Sequence, residues 1–261
     1  MSVSRVRIDV SQEPGGESVD LKGRVALVTG GAVRLGRAIA LGVARAGANV
    51  ALTYHRSVEA AQGTLSEIQA LGREARAFQV DFSQPQGATT LVDEVKKWQG
   101  HVDILVNSAA IFEHGDWDDT TYENWDRHLT INLKTPFFLS QAFARALKVE
   151  GAKGHIVNIA DWRAVRPGSD HVAYTIAKAG LVAMTYSLAQ ALAPEIQVNA
   201  VAPGLILPPP GAGEGFMTRK VGEIPLGRVG SPDDVVRAVL YLLTSDFVTG
   251  ELLYVTGGEH L

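Results

Sequence analysis

Short runs of β-branched and other apolar residues recur along the chain at Val25–Thr29, Asn49–Tyr54, Ala75–Val80, Ile104–Asn107, His155–Ile159, Gln197–Val201 and Leu252–Val255. Between them, segments 35–47, 57–71, 87–99, 121–148, 172–193 and 232–244 carry apolar positions at helical spacing. The runs are too apolar to leave one face wet, which predicts strands of a parallel sheet covered by helices on both sides. The last helix has its own start signal: Ser231 as N-cap, Pro232 at the first helical position, then Asp233 and Asp234. Residues 1–22 are polar, include Pro14, Gly15 and Gly16, and show no sustained period, so they are expected to form a flexible N-terminal extension. No linker divides 23–261, and one domain is expected there.

Composition narrows the chemistry. Of 261 residues, 24 are basic and 28 acidic, and a net charge of −4 gives no electrostatic case for nucleic acid or an anionic membrane. No uninterrupted run approaches the length of a membrane span, so none is expected. Arg5 and Arg7 are followed by Asp9, Glu13 and Glu17 without an apolar stretch. That fits neither a secretory nor a mitochondrial signal, and the expected compartment is the cytoplasm. The absence of cysteine removes disulfides, thiolate nucleophiles and cysteine-held metals together. The histidines include no i, i+4 pair and no HExxH, so no metal is expected. The acidic stretch Gly115–Asp119 lacks EF-hand spacing and reads as a solvated loop.

The first predicted strand runs into Thr29, Gly30, Gly31, Ala32, Val33, Arg34, Leu35 and Gly36, and then into a helix. Glycine permits a tight turn and close approach of a pyrophosphate, and the helix N-terminus offers free N–H groups. Arg37 and Ala38 after Gly36 exclude a Walker A loop. A dinucleotide site in a Rossmann-type, doubly wound α/β fold is expected, with a single parallel sheet of about seven strands. Sites for NAD carry Asp or Glu about 20 residues past the glycines, to accept the ribose hydroxyls. Here His55, Arg56 and Ser57 stand after the second strand. Donors and positive charge there, with Arg34 in the glycine turn, predict NADPH/NADP+ through its 2′-phosphate.

Tyr174 and Lys178 lie four apart on a predicted helix and can share a face. A neighbouring ammonium favours tyrosinate, so Lys178 is expected to lower the phenol's pKa and let Tyr174 act as an acid near neutrality. In this order and context the chain resembles the short-chain dehydrogenases/reductases over nearly all of 23–261. The turn matches their TGxxxGxG at Gly30 and Gly36, with Arg34 where the middle glycine stands. Asn107, Ser108, Ala109 and Ala110 replace their NNAG. Pro203–Gly204, Leu226 to Gly230, Pro232, Thr249–Gly250 and Gly257–Gly258 also match. The resemblance implies cofactor contacts at Gly30, Arg34, Leu35, Gly36, His55, Arg56, Ser57, Asp81, Phe82, Asn107, Ser108, Tyr174, Lys178, Pro203 and Gly204. It implies that Asn132 orders a relay water and that the enzyme is a homotetramer.

The family's catalytic serine falls 13 residues before the tyrosine; this chain has Asp161 there. A serine hydroxyl can donate to a carbonyl oxygen, whereas a carboxylate only accepts. Arg34, the His55–Ser57 run and the set Asp161, Tyr174 and Lys178 together resemble pteridine reductases, including dihydromonapterin reductases. That resemblance implies that Phe112 stacks a pterin, and that Asp161, Phe112 and Tyr174 bind the substrate. The expected function is NADPH-dependent reduction of a dihydropterin, a small-molecule substrate. The alternatives are a carbonyl reductase or alcohol dehydrogenase for a ketoacyl, sugar or polyol substrate, and a non-catalytic NADP-sensing or scaffold protein. The segment 205–222 is the expected substrate loop, with Pro208, Pro209 and Pro210 stiffening it.

Overall fold

The computed structural model describes residues 20–84, 86–209, 211–213 and 215–261. Seven strands, β1 (Val25–Val28), β2 (Asn49–Tyr54), β3 (Ala75–Gln79), β4 (Ile104–Asn107), β5 (Gly154–Ile159), β6 (Ile196–Pro203) and β7 (Leu252–Val255), form one sheet in the order β3-β2-β1-β4-β5-β6-β7. Every pairing is parallel. The helices are α1 (Arg34–Arg45), α2 (Val58–Ala70), α3 (Gln86–Gln99), α4 (Tyr122–Leu129), α5 (Thr135–Glu150), α6 (Val172–Leu192), α7 (Phe216–Lys220) and α8 (Pro232–Thr244).

Alternation along the strands explains the two covered faces. Ala26 and Val28 of β1 pack with Ile39 and Val43 of α1 and with Val235 and Val239 of α8. Val25 and Leu27 point the other way, toward Leu91 and Val95 of α3 and Leu139 and Phe143 of α5. Large aliphatic and aromatic side chains buried this completely lose about 2–5 kcal/mol when cut to alanine, which places the stability of the domain in these two layers. α8 starts as its sequence predicts: the Ser231 hydroxyl accepts from Asp234 N–H, and the Asp234 carboxylate accepts from Ser231 N–H, a reciprocal capping box.

Three expectations change. The single helix predicted over 121–148 is two helices joined by a π turn at Thr130–Lys134, which carries Asn132. A short helix, α7, lies inside the segment expected to be loop. Most of the expected N-terminal extension lies outside the described residues, but Leu21, which falls within it, is buried and donates its N–H to the Ala46 carbonyl. Helix α6 is long and apolar enough by length and composition to cross a membrane, though no uninterrupted apolar run announces it. It is a core helix of this domain: Ala173, Ala177 and Leu181 are buried, and so are the polar Tyr174 and Lys178.

Because all seven strands run the same way, their carboxyl ends lie along one edge of the sheet. The chain leaves β3 at one side and returns as β4 beside β1, so the crossover direction reverses between β1 and β4. Ligands of such sheets bind in the crevice outside the strand ends at that reversal.

Candidate active site

The crevice is built by the turn after β1. Gly30 adopts φ +64°, and its N–H donates to Thr53 Oγ1 at 2.9 Å. A Cβ on Gly36 would lie 2.2 Å from the Gly30 carbonyl oxygen, and one on Gly31 would lie 2.8 Å from Leu52 Cβ. Only glycine lets α1 start this close to β1, and the result is the narrow cradle that a pyrophosphate occupies at a helix N-terminus. Thr29 closes the crevice floor: its Oγ1 accepts from the N–H groups of both Ser108 and Ala109, binding the end of β1 to the end of β4. The residues present therefore fit a dinucleotide.

Arg34 takes φ +52°, the left-handed conformation for which the family uses glycine. Its guanidinium donates to the Pro208 carbonyl at 2.6 Å, so it bridges from the glycine turn to the segment after β6. His55 and Arg56 are exposed at the end of β2, and His55 Nε2 stands 3.7 Å from Asp81 Oδ2. A hydrogen bond from Ser83, with smaller help from His55 and Arg56, holds the Asp81 carboxyl below its ordinary value. Ser57 precedes α2 without capping it through its side chain. Leu35 packs half-buried against the α1 side of the core. At the other flank, Gly204 sits where a Cβ would fall 2.9 Å from Thr256 Cα, and Leu205 N–H donates to Glu259 Oε2 at 2.9 Å.

The side chains of two expected cofactor contacts face inward. The Asn107 amide is buried and donates to Ser140 Oγ and Asn158 Oδ1, and Asn158 passes the chain on to Thr185. This satisfied polar ladder binds β4 to β5, α5 and α6, because a buried amide must find partners. The Phe82 ring is in the core, and its carbonyl accepts from Thr135 Oγ1.

The reactive groups converge at the ends of β5 and α6. Tyr174 donates its hydroxyl hydrogen to Asp161 Oδ2 at 2.7 Å, while Asp161 Oδ1 accepts from Arg163 N–H at 2.8 Å. Lys178 Nζ donates to the Ile159 carbonyl at 2.6 Å and lies 5.8 Å from the centre of the Tyr174 ring. The expected lowering of the phenol does not occur. Burial, and after it the charge and hydrogen bond of Asp161, push the Tyr174 pKa well above its ordinary value. Burial also lowers Lys178 to about 8, against the opposing pull of Asp161. The resting phenol is thus a held proton, aimed at a carboxylate.

The Asn132 side chain is bound to the main chain of Ile111. Its Oδ1 accepts from Ile111 N–H at 2.9 Å, and its Nδ2 donates to the Ile111 carbonyl at 3.0 Å. The π turn swings it out of the helical register to reach that segment. Phe112 follows at once, 39% exposed, with its ring centre 4.7 Å from that of Tyr174 in an edge-to-face arrangement. Sequence reasoning missed His171, whose ring stacks on Phe112. Its signal was its place three residues before Tyr174, just ahead of the predicted helix.

A parallel sheet with a glycine cradle at its reversal defines a dinucleotide-binding protein. The family profile described as Enoyl-(Acyl carrier protein) reductase matches residues 31–260. The chain belongs to this family of short-chain dehydrogenases/reductases. It is 34% identical over 245 residues to 2-dehydro-3-deoxy-D-gluconate 5-dehydrogenase of Escherichia coli (strain K12), covering 91% of this chain and 96% of that protein. Among solved structures it is similar to FolM alternative dihydrofolate reductase 1 from Brucella suis in complex with NADP. That match has a TM-score of 0.86 and 34% identity, and covers 91% of this chain and 95% of the other. A short-chain dehydrogenase from Burkholderia cenocepacia J2315 in complex with NADP gives a TM-score of 0.86 and 36% identity, covering 92% and 99%. The family uses NAD(P)H, and both of these structures hold NADP.

Proposed function

We propose that the protein is an NADPH-dependent reductase of a dihydropterin, of the dihydrobiopterin, dihydromonapterin or dihydrofolate type. The observation that carries this reading is Asp161 in the place of a hydroxyl donor, accepting from Tyr174 at 2.7 Å. Both of its oxygens already act as acceptors, so what it offers a substrate is further acceptor capacity. A ketone oxygen gains nothing from that. A ring carrying N–H and amino groups does, and the similarity to a FolM dihydrofolate reductase points the same way.

Gly30, Gly31 and Gly36 would hold the pyrophosphate, Arg34 and Arg56 the 2′-phosphate, and Lys178 the nicotinamide ribose. When bound, NADPH supplies a hydride to the carbon of a ring C=N bond. Phe112 and Asp161 orient that ring, by its face and by its N–H groups. Tyr174 gives its phenolic proton to the adjacent ring nitrogen, which balances the reduction to CH–NH. The Lys178 ammonium offsets the charge left on the Tyr174 oxygen until solvent returns a proton. Asn132 keeps the Phe112 segment in register and supports the proton relay to Lys178.

A second reading, reduction of a carbonyl in a sugar or ketoacyl substrate, is favoured by the similarity to the gluconate dehydrogenase. The deciding assay is NADPH oxidation with dihydrobiopterin, dihydromonapterin and dihydrofolate beside a β-ketoacyl thioester. Turnover of a dihydropterin is expected; turnover of the thioester alone overturns the reading. With it we propose a homotetramer. An apolar groove of about 580 Å³ between the π turn, α5 and α6, lined by Leu133, Phe137 and Met184, is surface that a second copy would cover. Light scattering that finds only monomer refutes it.

A further inference from the structure

The Phe112 ring is held on three sides. Asn132 fixes the main chain before it at Ile111, and His128 fixes the main chain after it, its Nε2 accepting from Glu113 N–H at 3.2 Å. That acceptor role places the His128 proton on Nδ1, where it is given to the Asn124 carbonyl at 2.9 Å. The third hold is on the ring itself. The His171 imidazole lies parallel to it, with centroids 4.0 Å apart and planes 6° apart.

His171 is placed there at a cost. It adopts φ +54° and ψ +46° as the residue before α6, a conformation disfavoured for side chains with a Cβ. Strain of this kind persists only where surrounding contacts over-determine it, and it concentrates at functional sites. The contacts here are the stack, an edge contact with the His114 ring at 5.4 Å between centroids, and a hydrogen bond of Nδ1 to Asp170 Oδ2 at 3.0 Å. Asp170 in turn holds Arg163 at 2.6 Å, and Arg163 N–H is the donor to Asp161. One linked set therefore fixes both the carboxylate that would read the substrate's edge and the aromatic ring that would meet its face. Burial lowers the His171 pKa and so favours the neutral ring, which stacks without carrying charge into the site.

We propose that His171 is a specificity-determining positioning residue: its imidazole backs Phe112 and makes it a rigid platform for a flat, nitrogen-rich heterocycle. The platform takes its substrate class from the dihydropterin reading. His171→Gly removes the ring while suiting the left-handed backbone, so it spares the fold; His171→Phe keeps a ring for the stack. Pterin is titrated calorimetrically into enzyme loaded with NADP+, where no hydride is available. The stack contributes about three- to tenfold in affinity. The wild type is expected to bind pterin, His171→Gly to bind it that much more weakly, and His171→Phe to bind it within about twofold of the wild type. NADP+ affinity should stay unchanged in all three. Failure of the wild type to bind pterin overturns the proposal. So does equal or tighter binding by His171→Gly, which would make His171 a cover that substrate must displace. Equal weakening in both variants overturns the stacking role as well. A wild type that binds pterin with this variant pattern, yet does not oxidise NADPH with any dihydropterin, supports the platform and sinks the reductase reading.

Discussion

Replacing Asp161 by serine tests the chemistry at its centre. The aspartate accepts two hydrogen bonds, from Tyr174 at 2.7 Å and from Arg163 N–H at 2.8 Å, and on the present reading a third from the substrate. A hydrogen bond to a charged group contributes about 1.5–3 kcal/mol. At about 1.36 kcal/mol per decade, losing the substrate's bond lowers kcat/KM for a dihydropterin by roughly 10- to 150-fold. The same change frees the Tyr174 hydroxyl to donate to a carbonyl oxygen, so reduction of a β-ketoacyl thioester should hold or rise. An internal check comes with it. Two of the three causes that raise the Tyr174 pKa belong to Asp161, so the phenol should titrate lower in the variant, while the burial that remains keeps it above its ordinary value. Absorbance of the phenolate reads that shift and shows that the site is otherwise intact. Dihydropterin kcat/KM within about threefold of the wild type, with the phenol shifted as expected, refutes the reasoning.

Lys178 titrates near 8 because it is buried, so kcat should fall as pH rises through about 8 and the ammonium is lost. Between that value and its ordinary 10.5 the unfolded chain binds more protons, so this group makes stability rise with pH over the same window. A pH profile flat to the ordinary lysine range contradicts both. Arg34→Gly suits the left-handed backbone, so the fold should tolerate it. It should cost roughly 10- to 150-fold in kcat/KM for NADPH through the lost phosphate contact and leave NADH unchanged; an equal loss with both cofactors would count against Arg34 as the phosphate ligand. Gly36→Ala places a Cβ 2.2 Å from the Gly30 carbonyl, against backbone that has no rotamer to yield. A destabilisation of about 1–3 kcal/mol is expected in thermal melts, with NADPH fluorescence enhancement lost, and unchanged NADPH binding would refute the cradle.

The sequence by itself determined the architecture. Strand runs alternating with helical spacing can bury both faces of a sheet in only a few ways, and every predicted strand is present within a few residues of its expected bounds. The glycine turn was legible because Gly30 and Gly36 answer a local steric demand. So was the nearness of Tyr174 and Asp161, through the family's spacing of 13 residues between those two positions; the hydrogen bond between them was not. What the sequence could not give depends on neighbours that are distant along the chain. Asn107 turns inward because Asn158 and Ser140 meet it there. Asn132 leaves its helix through a π turn because the Ile111 backbone needs its amide. Lys178 does not lower the phenol because burial costs both groups their charged forms, a cost that spacing along a helix does not reveal. The stack of His171 on Phe112 joins residues 59 positions apart, and only the packed domain decides that those two rings face each other.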